Sequence, residues 1–204
     1  MTTKNNYWDL FYNNNKLLLP SQFATFIANE YLDIKSTVID IGCGNGRDSL
    51  FFMNLGFKVI GIDASKKAIE SIQSKLRSPT LFFCGKISDP KSVSLLKDNI
   101  DSSGCLVYSR FFLHAITDDE ETDFWNLVDG ICMPGDILAV EFRTNRDEFL
   151  PKVTEPHYRR FIDPRAVVAK GNHLGFSCEY FVEGLGYAKY KTDDAHVARI
   201  IFRK

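Results

Sequence analysis

The stretch Val38-Ile39-Asp40-Ile41-Gly42-Cys43-Gly44-Asn45-Gly46-Arg47-Asp48 decides the fold. A short apolar run ends in a loop with glycine at every second position, and the pattern then turns helical through Leu50, Phe51 and Phe52. Glycine admits positive φ and puts no Cβ in the way of a ligand, while the first amides of the next helix have no carbonyl partner of their own. In an open α/β sheet, ligands settle at the carboxyl ends of strands where the winding reverses, and Gly42 to Gly46 follows such an end. The plainer reading of the same glycines is a tight turn.

Working outward, strand-like TVIDI (37–41), helix-like GRDSLFFMNL (46–55), strand-like FKVIGID (57–63), helix-like SKKAIESIQSKL (65–76) and strand-like TLFFC (80–84) alternate. The alternation continues with a helix over 91–98, a strand over 105–109, a helix over about 118–130 and a strand over 136–142 after the Pro134-Gly135 turn. Such a series requires right-handed crossovers and a parallel sheet covered on both faces. Ahead of it, Phe23, Phe26, Ile27 and Tyr31 recur at helical spacing behind a capping Ser21. Behind it, Asp163-Pro164 starts a helix over 164–172. The runs FSCEYFVEG (176–184) and HVARIIF (196–202) have no helical pattern between them and are expected to pair antiparallel at the sheet edge. The expected fold is α/β, a Rossmann-like doubly wound sheet, mostly parallel with an antiparallel C-terminal strand pair. At 204 residues, one domain over 1–204 is expected.

Composition narrows the function. Apolar residues are 45 % and charged residues 25 % of the chain, an ordinary globular balance, and a net charge of −1 gives no general grip on nucleic acid. There is also no N-P-P-Y base-clamping motif, so no nucleic-acid partner is expected. The opening MTTKNNYWDLFYNNN holds no long apolar run, so neither a secretory signal nor a membrane partner is expected and the cytoplasm is the default location. Five scattered cysteines without a C-x-x-C read as reduced thiols. Thr117-Asp118-Asp119-Glu120 reads as a capping box with acids in a first helical turn, and no metal is expected.

Asp63 closes the second strand 19 residues after Gly44, a spacing that suits a carboxylate accepting hydrogen bonds from the ribose hydroxyls of a nucleoside. A helix cap is its other reading, although Ser65 is better placed for that. The loop reads G-x-G-x-G with Arg47 where a dinucleotide fingerprint has its third glycine. Asp40 would repel a diphosphate and suits a cationic amino-acid group.

D-I-G-C-G-N-G-R-D followed by G-I-D-A-S resembles the first two motifs of the class I S-adenosylmethionine-dependent methyltransferases. The resemblance, which covers roughly residues 30–145, implies S-adenosyl-L-methionine as cofactor. It implies that Asp40 and the Gly42, Cys43, Gly44 and Gly46 backbone hold the methionine part and Asp63 the ribose. Ala64 and Ser65 would meet the sugar and adenine edge, Lys86 and Ile87 the adenine, and Ser109 the cofactor from the fourth strand. Lys86 stands where the family commonly has an acid. The resemblance also makes residues 36–145 the cofactor-binding core, 1–35 a lid with the leading helix, and 146–204 the acceptor side. Tyr7, Trp8 and Tyr12 are the lid candidates, with Tyr12 offering a hydroxyl to the methionine carboxylate; a hydrophobic staple is the alternative.

The acceptor is expected over the same rim. Arg110 and His114 follow the fourth strand and are the catalytic candidates. His114 would serve as general base for a hydroxyl or amine, or as an anchor for an acceptor that needs no base. An ion pair for Arg110 and a backbone-bonded ring for His114 are the structural alternatives. Arg110, Arg143, His157, Tyr158 and Arg159 form a candidate receptor for a phosphate or carboxylate. YSRFFLHAI, EFRTNRDE and HYRRFIDP are similar to segments of bacterial methyltransferases that modify surface polysaccharides and sugar phosphates. The expected activity is methyl transfer to a small polar acceptor, with anionic, phosphorylated or sugar-linked acceptors among the candidates. A non-catalytic S-adenosylmethionine-binding subunit and an NAD-linked oxidoreductase are the rival readings.

Overall fold

A computed structural model describes residues 19–31, 37–76, 81–100, 104–152, 157–190 and 192–204. Helix α1 (Gln22–Glu30) opens on Ser21, whose Oγ accepts from the Ala24 amide at 3.0 Å, and it buries Phe23, Ala24, Ile27 and Ala28. Strand β1 (Thr37–Ile41) leads through the glycine loop into α2 (Arg47–Asn54). Then come β2 (Val59–Asp63), α3 (Lys66–Gln73), β3 (Phe82–Cys84), α4 (Pro90–Lys97) and β4 (Cys105–Arg110). A 3₁₀ turn at Leu113–Ala115 precedes α5 (Asp118–Ile131), β5 (Ile137–Arg143) and a second 3₁₀ turn at Asn145–Asp147. The chain ends with α6 (Pro164–His173), β6 (Ser177–Gly184), β7 (Lys189–Tyr190), β8 (Asp193–Asp194) and β9 (Val197–Arg203).

The sheet runs β3-β2-β1-β4-β5-β9-β6, with β3 to β5 parallel and β9 antiparallel to both of its neighbours. The last strand therefore inserts between β5 and β6, and β6 takes the edge. The expected α/β doubly wound architecture with its antiparallel C-terminal pair is what the chain forms. The β7–β8 hairpin was not expected: two-residue strands carry no periodicity that a sequence can reveal.

Alternation along each strand divides the core. Ile39, Ile41, Ile60, Ile62, Val107 and Val140 pack with Phe124, Trp125 and Val128 of α5 and Val167 of α6. Val38, Val59, Leu106, Tyr108 and Ala139 face Phe23 and Ile27 of α1, Phe52 of α2, and Ile69 and Ile72 of α3. Each of these large side chains contributes about 1.5–3 kcal/mol through burial. Asp40 shares parity with Val38, so its carboxylate is driven to the α1–α2 face, and its register partners are Gly61 and Tyr108. Thr117 and Glu120 form the capping box of α5, as its sequence predicts.

Candidate active site

The winding reverses between β1 and β4, and a cavity of about 660 Å³ opens over the carboxyl ends of those strands. One half is built from main chain. Gly42, Gly44 and Gly46 have φ of 78°, 54° and 74°. A Cβ on Gly42 would stand 2.4 Å from Phe112 Cδ2, so the turn tolerates no side chain there. The Gly44 amide donates to Asp63 Oδ2 at 2.9 Å and the Ser65 amide to Oδ1 at 2.8 Å, so Asp63 ties the two loops together.

Asp40 is 3 % exposed, and Ser49 Oγ donates to its Oδ2 at 2.5 Å. Burial, with Asp48 and Asp63 nearby, pushes its carboxyl up to about 8, against the pull of Ser49 and Arg110. Asp48, in the first turn of α2, accepts from the Ser21 amide and the Ser21 hydroxyl, each at 2.7 Å, and from Tyr108 Oη at 2.8 Å. Its burial is outweighed by Arg110, Arg47 and the Ser21 bonds, which hold its carboxyl below the usual range. This network fixes the start of α1 against β4 and α2.

The other half is cationic. Arg110 Nε donates to Glu141 Oε1 and Arg199 Nε to Glu141 Oε2, both at 2.7 Å, so one buried carboxylate serves two guanidiniums. Phe111, at φ 57°, is the one non-glycine with positive φ among the described residues, a strained state for an aromatic side chain. Arg110 lies 4.3 Å and Arg143 5.6 Å from its ring centroid, and its ring meets that of His114 edge-on at 5.1 Å. Arg143 is itself 5 % exposed and bonds Asp147 and Asp193, each at 2.7 Å. Asp193 belongs to β8, so this ion group moors the small hairpin to the end of β5.

His114 is 3 % exposed. The Arg143 amide donates to its Nδ1 at 3.1 Å, and its carbonyl accepts the Arg160 amide at 2.8 Å. Burial, reinforced by Arg143, Arg159, His157 and Arg110, holds the imidazole well below its ordinary pKa. Arg159 Nη2 donates to His157 Nε2 at 3.2 Å.

Of the residues expected at the site, Asp40, Gly42, Cys43, Gly44, Asp63, Ala64, Lys86, Ile87, Arg110, His114, Arg143, His157 and Arg159 line this cavity. Four stand elsewhere. Gly46 caps α2, Ser65 Oγ caps α3 by accepting from the Ala68 amide, and Ser109 Oγ donates to the Ile41 carbonyl at 3.1 Å. Tyr158 is 45 % exposed and outside the cavity lining. Tyr7, Trp8 and Tyr12 lie outside the described residues. Sequence reasoning missed Asp48, Tyr108, Glu141 and Asp193. Asp48 was within the quoted motif as an acid of a first helical turn; the rest had no local signal, because their partners are 31 to 60 positions away or come from the unpredicted hairpin.

Residues 38–135 match the family model described as a methyltransferase domain. No curated protein matches the sequence. Solved structures with the same fold include one described for the conversion of a disulfide bond into a thioacetal group during echinomycin biosynthesis. It has 20 % identity and a TM-score of 0.72, with 98 % of this chain and 92 % of that one covered. A second is an S-adenosylmethionine-dependent methyltransferase from Methanosarcina mazei, at 21 % identity and TM-score 0.69, covering 87 % and 96 %. A third is a glycopeptide N-methyltransferase complexed with S-adenosylmethionine, at 14 % identity and TM-score 0.65, covering 91 % and 94 %.

Proposed function

We propose that this chain, which has the class I methyltransferase fold and a methyltransferase-domain match over residues 38–135, transfers a methyl group from S-adenosyl-L-methionine to a small acceptor carrying an acidic group. The observation that carries the cofactor reading is the main-chain cradle beside two carboxylates. The residues present fit the group: no Cβ can be added at Gly42, Asp63 stands at the second strand end, and Asp40 is a buried acid beside Ser49. Asp40 would hold the methionine ammonium and Asp63 the ribose diol. When bound, the sulfonium supplies an activated methyl, and the protein's task is to align an acceptor lone pair with it while excluding water. Arg110, His157 and Arg159 are the groups that would hold the acceptor's charge, and Arg110 bonds described residues through Nε alone.

Isothermal titration with S-adenosylmethionine, S-adenosylhomocysteine and NADH tests the cofactor. Micromolar binding of the first two is expected, and NADH binding in their place would reverse the reading. Tritiated methyl transfer against acids, phosphate esters, alcohols and amines tests the acceptor.

A further inference from the structure

His114 has a fixed tautomer. A backbone amide can only donate, and the Arg143 amide points at His114 Nδ1 from 3.1 Å, so Nδ1 carries no proton. Neither the imidazolium nor the Nδ1–H form satisfies this contact. The neutral ring therefore keeps its single proton on Nε2, which makes no hydrogen bond to any described residue, and the ring lines the cavity. The groups around it are three guanidiniums, a second imidazole and a π-face: Arg110, Arg143 and Arg159, His157, and Phe111 edge-on. Of the acids lining the acceptor side, Asp193 is ion-paired to Arg143 and Glu120 is spent in the capping box of α5.

We infer that His114 is a hydrogen-bond donor to an acid oxygen of the acceptor, and that this oxygen, a carboxylate or a phosphate monoester, is itself the nucleophile. The inference rests on the methyltransferase reading above. An oxyanion has a lone pair ready, so no base is required. In the step, the O–CH₃ bond forms, the CH₃–S bond breaks, the electron pair stays on sulfur to give the neutral thioether, and no proton moves. Arg110 and Nε2–H of His114 fix which oxygen is presented. An alcohol or ammonium acceptor would need a proton removed, and the ring has no lone pair left to take it.

Two measurements test this on the full chain. In ¹⁵N-labelled protein saturated with S-adenosylhomocysteine, the His114 ring is expected to show protonated Nε2 and bare Nδ1 from about pH 6 to about pH 9, without titrating. A ring that titrates in that window, or that carries its proton on Nδ1, overturns the inference. Tritiated transfer to a panel of carboxylic acids, phosphate monoesters, alcohols and amines is expected to label an acid. Base-labile volatile methanol identifies a carboxyl ester, and a base-stable product of the right mass a phosphate ester. His114→Gln keeps an acceptor for the Arg143 amide and a donor toward the acceptor, and should stay within a few-fold of wild type. His114→Ala should raise the acceptor KM roughly 10- to 100-fold with a smaller change in kcat. Labelling of alcohols or amines in preference to acids, a rate that climbs with pH and is lost in Asp193→Asn, or no acid labelled at all, each overturns it. S-adenosylmethionine affinity, expected to be equal in all three proteins, separates this failure from failure of the cofactor reading.

Discussion

The Gly44 amide points at Asp63 Oδ2 from 2.9 Å, so the acid that ends β2 also sets the shape of the loop that ends β1. Asp63 thus shapes the cradle, and on the proposed reading it would also meet the ligand. Asp63→Ala is expected to weaken S-adenosylmethionine binding roughly 10- to 100-fold by calorimetry, the cost of losing charge-assisted bonds. Asp63→Asn retains one amide acceptor and should fall between; an unchanged affinity in both would remove Asp63 from the site.

Asp40 is expected to make cofactor binding pH-dependent. Its carboxyl, about 8 in the ligand-free protein, lies far above the unfolded value of about 3.9, so its contribution to stability is full below about pH 4 and is lost as pH rises through 8. Asp40→Asn removes that slope and is expected to be the more stable protein near pH 8, by on the order of 1–3 kcal/mol. Pairing with an ammonium favours the carboxylate, so binding near pH 7 should release a proton and tighten toward pH 8. Calorimetry in buffers of different ionisation enthalpy reads that proton directly, and Asp40→Asn should abolish it.

Gly42 is constrained twice, by φ and by the Phe112 ring. Gly42→Ala should lower stability by about 1–3 kcal/mol in urea denaturation and abolish cofactor binding. Adding Phe112→Ala relieves the clash but not the dihedral cost, so the double variant is expected to bind no better than the single one.

Arg143 holds two buried carboxylates, one on each side of a hairpin junction. Arg143→Met leaves Asp147 and Asp193 without their guanidinium and should cost about 3–5 kcal/mol. At a temperature where the variant remains folded, S-adenosylmethionine affinity should be retained while amide exchange at Lys189, Tyr190, Asp193 and Asp194 accelerates. Equal protection there would show that the hairpin does not depend on this anchor.

The glycine-loop half of the cavity was legible because it is local. Gly42 to Gly46 and Asp63 announce themselves by residue type and spacing, whereas the face on which Asp40 stands came only from the strand register. The cationic half was only partly legible, because its meaning lies in pairings across the sheet. Arg143 and Arg110 look alike as arginines at strand ends, yet one is enclosed by two acids and the other shares Glu141 with Arg199. His114 was identified as a residue at the rim, but whether its ring takes or gives a proton depends on an amide 29 positions later. The β7–β8 hairpin was invisible, since its order comes from Asp193 reaching Arg143 rather than from any repeat.

The rim that runs from Asp40 and Asp63 on one side to Arg110 and Arg159 on the other is electrically lopsided. On the reading proposed above, the acidic end would receive the cationic methyl donor and the basic end an anionic acceptor. On that reading, transfer discharges the sulfonium and takes one negative charge off the acceptor, while the ammonium and ribose contacts of Asp40 and Asp63 persist, so the grip weakens only at the sulfonium and at the acceptor oxygen. The polarity that would gather the reactants would thus hold the products less firmly, an exit step with no moving part.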